Sequence, residues 1–250
     1  MIESVRVLLN GTWYDLTQNG DYWEAAITAP AESSYSQPGH AYSAIAWAQN
    51  DSGVSSAAQS GDLPGLLLTV VESVPPAVTI LSPPAGYHTP EAQPVVVASV
   101  TDTGSGVAGI TVQVDGQAAA AEITAQPIQD GDQYTITLPA QADGPHQVTV
   151  LGHDNDGNTG SASVEIVVDL TPPSLTLRTG ERIVDTAQLV VSGVARDASS
   201  GPASVTVTAG AETWAVPVAP DGAFAAGIPL EIGVNGYTVT AADQVGRQTS

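Results

Sequence analysis

The sequence predicts an all-β chain, a line of Greek-key β-sandwiches, and three observations carry that prediction. First, a segment recurs. PPAVTI at 75–80 returns as PPSLTL at 172–177, an offset of about 97 residues, the length of one sandwich domain. Second, Val, Thr and Ala dominate, only 12% of residues are charged, and 25 Gly and 18 Pro break the chain often. That is strand-and-turn composition. Third, short alternating stretches are separated by turn signals, with no sustained helical periodicity.

The second unit, 74–170, is the most complete. Strands are expected at 77–81, 94–101, 109–114, 133–138, 147–152 and 161–168. Val148, Val150 and Gly152 alternate with Gln147, Thr149 and Leu151, as in a sheet with one buried face. Turns fall at PPAG, DG, DGD, ADG and DNDGN between them. The third unit, 171–250, repeats the order, with strands at 174–177, 188–195, 204–208, 213–218, 223–228 and 237–242. VTVLGHDNDGN at 148–158 aligns with YTVTAADQVGR at 237–247. The sequence stops soon after that turn, so this unit is expected to lack its last strand and the natural chain to continue. The first unit, 1–73, opens on VRVLLNG, which aligns with ITVQVDG at 110–116. It thus starts at the others' third strand and ends with a strand near 66–72, a smaller variant sandwich. Two-proline linkers, SVPP and DLTPP, fix φ and favour extended geometry. An elongated rod is expected.

Composition excludes several function classes. The net charge is −21, with five Arg and no Lys. Nucleic acid and anionic membrane surfaces are therefore not expected partners, since phosphate binding needs Lys and Arg. No apolar run is long enough to span a bilayer. The opening MIESVRVLLNG lacks the basic and apolar regions of a signal peptide. Cys is absent, so zinc is not expected from the four histidines, His40, His88, His146 and His153, which lack zinc spacing. No nucleophile elbow accompanies the many Ser and Asp. No reaction is expected.

The DxTPP linker (Asp169, Thr171, Pro172, Pro173), the loop TDTGSGVAGI at 101–110 and the A-x-D-x-x-G turn (Ala241, Asp243, Gly246) resemble bacterial immunoglobulin-like repeats. These stand in tandem on surface adhesins and in phage tail and virion proteins. The first unit, with NGTWYDLTQNGDYWEAAITAP at 10–30, looks like the leading domain of Ig-like proteins encoded near phage tail genes. The resemblance implies tandem immunoglobulin-like sandwiches with a non-enzymatic structural or adhesive role. A virion accessory protein is the first expectation. A segment of a cell-surface adhesin and a carbohydrate-binding module are the alternatives. Partners would be other virion or surface proteins, or glycans, in a possible oligomeric assembly at the virion or cell surface.

Two groups of residues are candidate sites. Asp154, Asp156 and Asn158 have the D-x-D-x-N spacing that can begin a calcium loop, because alternating oxygens on a tight loop converge. Glu165 falls at the twelfth position, but Gly157 comes too early for the loop glycine and strands flank the run. Some Ig-like and cadherin-like arrays hold calcium at domain junctions, which adds Asp169 and Asp102. The alternative is an acidic turn held by Asx hydrogen bonds. Asp102 and Asp197 occupy equivalent places and are expected to cap the glycine-serine loops. The second group is aromatic. Seven of the chain's twelve aromatic residues lie in the first unit. Trp13, Tyr14, Tyr22 and Trp23 are candidates for stacking on sugars or a partner, against a reading as core with Trp23 and Trp47 inward. Tyr14 and Tyr22 are the expected exposed pair.

Overall fold

The computed structural model describes residues 1–59, 67–178, 183 and 185–250. Among these residues, apart from one short 3-10 turn, every regular element is a strand.

The first unit contains β1 (Ile2–Leu9), β2 (Thr12–Asn19), β3 (Tyr22–Glu24), β4 (Tyr42–Asn50), β5 (Ser55–Gln59) and β6 (Leu67–Leu68). They form one sheet in the order β3-β2-β1-β4-β5, with β6 paired to the start of β4. The expected small sandwich is a single sheet over the described residues. β1 is equivalent to the strand at 107–114 of the next unit, and the strands of the facing sheet that precede that one there have no counterpart among the described residues here. Its core is correspondingly small: Leu9, Tyr42 and Ala44, backed by Val7, Tyr14, Leu68 and Val70. The strand expected near 66–72 shrinks to Leu67–Leu68, and Leu66 lies outside the described residues.

The second unit is a complete sandwich of β7 (Ala77–Ser82), β8 (Tyr87–Thr89), β9 (Val95–Thr101), β10 (Val107–Val114), β11 (Gln117–Ala118), β12 (Glu122–Ile128), β13 (Gly131–Thr137), β14 (Gly144–Asp154) and β15 (Thr159–Val168). One sheet runs β11-β10-β14-β15-β8 and the other β12-β13-β9-β7. The alternation expected of β14 is real: Val148 and Val150 are fully buried while Gln147 is exposed. They meet Val96, Ala98 and Val100 of β9, Ile136 of β13 and Ile166 of β15 in one core.

The third unit repeats this plan with β16 (Ser174–Leu177), β17 (Gln188–Arg196), β18 (Pro202–Ala209), β19 (Glu212–Val216), β20 (Ala223–Pro229), β21 (Thr238–Asp243) and β22 (Gln248–Thr249). Its sheets run β16-β17-β20 and β19-β18-β21-β22. A separate core forms around Val191, Val205, Val207, Phe224, Ile228 and Ala241. The last strand is present as two residues, with Ala241 opposite Thr249 and Ala242 opposite Gln248.

The linkers are seated on the sandwiches they enter. A Cβ at Gly160 would stand 1.9 Å from the Pro76 carbonyl oxygen, so only glycine lets the linker lie this close to β15. At the second joint, Arg247 donates from Nε to the Asp169 carbonyl at 2.9 Å and from Nη2 to the Pro90 carbonyl at 2.8 Å. Ser199 of the third unit donates to Asp143 of the second at 3.0 Å.

Candidate functional site

The two joints carry the same constellation. At the first, Glu72 comes from the linker, Asp102 from the end of β9 and Asp154 from the end of β14. At the second, Asp169 comes from the linker, Asp197 follows β17 and Asp243 ends β21. In each trio, one carboxylate oxygen per residue lies within 4.8 Å of the other two. Equivalent strands end at the same pole of each sandwich, and the incoming linker crosses that pole. The fold itself therefore brings the three acids together.

Local hydrogen bonds orient each acid. The amides of Gly104 and Gly106 donate to Asp102 Oδ1 at 3.0 and 2.7 Å. Those of Ser199, Ser200 and Gly201 donate to Asp197 Oδ1 at 2.9, 2.8 and 3.0 Å. The expected loop capping is therefore present in both copies. Asp154 Oδ1 accepts from the amides of Asp156 and Asn158 at 3.0 and 2.8 Å. Asp243 Oδ1 accepts from Val245 and Arg247 at 2.9 and 2.8 Å. The linker acid is gripped by a buried serine each time: the Ser105 amide donates to Glu72, and the Ser200 hydroxyl to Asp169. A Cβ at Gly104 would collide with the Glu72 carboxylate, 1.8 Å from Oε2.

The two copies differ at one place. Asn158 donates its side-chain amide to Asp154 Oδ2 at 2.8 Å and to the Glu72 carbonyl at 3.2 Å. Its counterpart is Arg247, which turns away to the Asp169 and Pro90 carbonyls. Asp243 Oδ2 is left buried with no hydrogen-bond donor.

The calcium candidates read from the sequence thus separate. Asp102 and Asp154 meet at the first joint with Glu72, and Asp169 belongs to the second. Asp156 Oδ2 accepts from the Ser33 hydroxyl at 2.7 Å and the Glu72 amide at 3.0 Å. It ties the first unit to the second. Glu165 pairs opposite Gln147, away from the turn where His153 faces Thr159, so no EF-hand-like loop closes. Glu72 and Asp243 were not among the candidates. Their signal is the repeat itself, since 72, 102 and 154 align with 169, 197 and 243.

Strand register also splits the aromatic candidates. Val7 faces Tyr14, Leu8 faces Trp13, Gln18 faces Trp23 and Asn19 faces Tyr22. Tyr14 and Trp23 therefore share the core side of the sheet, and Trp13 and Tyr22 the other. Tyr22 is 77% and Trp13 45% exposed, while Tyr14 is half-buried against the small core. Tyr22 is exposed as expected, and Tyr14 is not. Trp47 lies on the side opposite the core, across from Arg6. The Arg6 guanidinium sits 4.8 Å from the Trp13 ring and 4.3 Å from the Trp47 ring, which satisfies one face of each through cation–π attraction.

Asp115 and His146 form a pair on the second unit that titrates away from its ordinary values. Asp115 is lowered from 3.8 by hydrogen bonds from His146 and the Gln147 amide. For His146, burial is the largest influence and disfavours the charge. Bonds to Asp115 and the Ala142 carbonyl together outweigh it, and its pKa lies above 6.5.

This architecture defines a class: tandem immunoglobulin-like β-sandwiches joined by short, bonded linkers. Residues 76–150, within the second unit, match the sequence model of the bacterial Ig domain family. Three consecutive immunoglobulin domains of titin superpose with a TM-score of 0.50 at 12% identity, over 99% of this chain and 85% of that one. A bacterial ice-binding adhesin involved in host cell surface retention aligns at 17% identity and TM-score 0.32, over 100% of this chain and 84% of that one. The fibronectin(III)-like modules of Clostridium thermocellum CbhA align at 19% identity and TM-score 0.32, covering 67% and 78%. Likeness at these identities concerns the fold alone. No curated protein matches the sequence. Among the described residues, no helix is long and apolar enough to cross a membrane.

Proposed function

We propose that the chain is a non-enzymatic spacer and adhesive module of an extracellular assembly, holding its units in an extended line. The observation that carries this reading is the repeated joint. A trio of acids, a serine grip and a proline linker recur at both boundaries. A linker that only tethered would not need them. The resemblance of the first unit to Ig-like proteins encoded near phage tail genes makes a virion the assembly we favour. Immunogold labelling with antibody against the second and third units tests that choice. Label along purified particles is expected. Label confined to the bacterial surface would replace the virion with the adhesin reading.

A second reading, glycan binding by the first unit, draws on Trp13 and Tyr22, exposed on one side of an open sheet. Aromatic rings in that position can stack on sugars. Glycan-array binding lost on Tyr22→Ala would support it, and an empty array would end it.

A further inference from the structure

We propose that the open face of the first unit binds the carboxylate of an acidic sugar at Arg6, with Trp13 as the stacking platform. The inference rests on the glycan reading above and names the class of sugar. Arg6 is the only Lys or Arg before Arg178, in a chain of net charge −21. It stands on β1, in the middle of the sheet, on the side away from the small core. Asp15 is its neighbour across β2, and Trp47 its neighbour across β4. Opposite charges facing each other across two strands ordinarily attract. Arg6 and Asp15 nonetheless form no ion pair; those among the described residues are Met1 with Asp51 and His146 with Asp115. The guanidinium lies between the Trp13 and Trp47 rings instead, 4.8 and 4.3 Å from their centres.

A guanidinium offers its faces to rings and its edge to acceptors, so stacking leaves the in-plane N–H donors for a partner. Arg6 Nε is enclosed and has no hydrogen-bond partner, whereas buried donors are almost always satisfied. The residue itself is only half-buried, which leaves the terminal Nη1 and Nη2 to an incoming group. The matching group is a carboxylate, whose two oxygens fit the guanidinium fork. The two rings hold that fork in place before a ligand arrives, which lowers the cost of ordering it. The surroundings select a sugar over a peptide. β1 is paired on both sides, with β2 and with β4, so no backbone edge is open here for an added strand. Asp15 and Glu24 share this face by register and repel a ligand that carries many charges close together. A sugar acid brings one carboxylate per ring, beside C–H faces that stack on an indole. Trp13 is 45% exposed and keeps ring surface for that contact.

The test titrates the whole chain calorimetrically with 3′-sialyllactose and with tetragalacturonate, each beside its methyl ester, at about 0.15 M ionic strength to screen diffuse charge effects. At least one of the two acids should bind with Kd of about 1 mM or tighter, and its ester about tenfold more weakly. Arg6→Gln should bring the acid down to the level of its ester. Arg6→Lys, which keeps the charge without the fork, should restore only part of the difference. Trp13→Ala should weaken acid and ester alike. If Arg6→Gln fails to fold, the comparison of acid with ester on the unaltered chain still decides. Esters that bind as well as the acids, or acid binding that survives Arg6→Gln, would overturn this inference and leave the glycan reading standing. No binding of any of the four sugars, with an empty glycan array, would overturn both. Binding of hexaglutamate in place of the sugar acids would also overturn it and assign the face to an acidic peptide.

Discussion

Ile136 and Ile228 lie in equivalent strands of two separate cores, and truncating either should destabilise one unit only. Ile136 is fully buried and Ile228 is 1% exposed. Each packs against residues of its own unit. Deleting three carbons from such a site costs about 2–5 kcal/mol, because the cavity closes only in part. At roughly 3 kcal/mol, and about 4–8 °C per kcal/mol for a domain of this size, the melting transition of the altered unit should fall by roughly 12–24 °C. Differential scanning calorimetry of Ile136→Ala and Ile228→Ala is the assay. Each variant should move a different transition and leave the other within a few degrees. A single transition that moves as a whole in both variants would refute the independence of the cores. A shift below about 4 °C would refute the burial argument.

Three further perturbations address the linkers and one charged pair. Gly160→Ala would place a Cβ 1.9 Å from the Pro76 carbonyl oxygen. Pushing that backbone aside should cost about 1–3 kcal/mol in urea unfolding of the second unit, and an unchanged midpoint would contradict the close seating of the linker. Asp156→Ala removes the acceptor for Ser33 and the Glu72 amide. Limited proteolysis between the first two units should accelerate several-fold, whereas wild-type rates would deny that Asp156 ties them. The His146–Asp115 bond should make the second unit pH-sensitive. With the histidine raised above 6.5, its contribution is complete below that value and lost as pH rises through the folded pKa. With the aspartate lowered below 3.8, its contribution is present above that value and lost as pH falls further. Relative to His146→Gln, wild type should hold an advantage of up to about 1 kcal/mol at pH 5.5 that shrinks by pH 8.5. An advantage that grows with pH would contradict the assignment.

Most strands of the second and third units could be read from the sequence because one face is buried and alternation records it. β12 escaped because it is an edge strand exposed at every position, with Pro127 next to its end, so it carries no alternation. β8 and β11, at three and two residues, are too short to show a period. The first unit was legible as aromatic-rich but not as a single sheet, since the missing half of a sandwich leaves no mark on the strands that remain. The acids of each joint come from a linker and two strand ends far apart in the chain. Spacing along one loop therefore directed attention to Asp156 and Asn158, which the fold uses for bonds between units. Aligning the repeats, rather than searching within a turn, places Glu72 beside Asp169 and Asp154 beside Asp243.

Small-angle X-ray scattering of the whole chain tests whether bonded joints hold the units in an extended line. Three units, each roughly 33 Å along its strands, make a line about 100 Å long with a radius of gyration near 30 Å. A compact globule of this chain length would give about 18 Å. A value near 30 Å with the profile of a stiff rod is the predicted result, and a value near 18 Å would contradict the account.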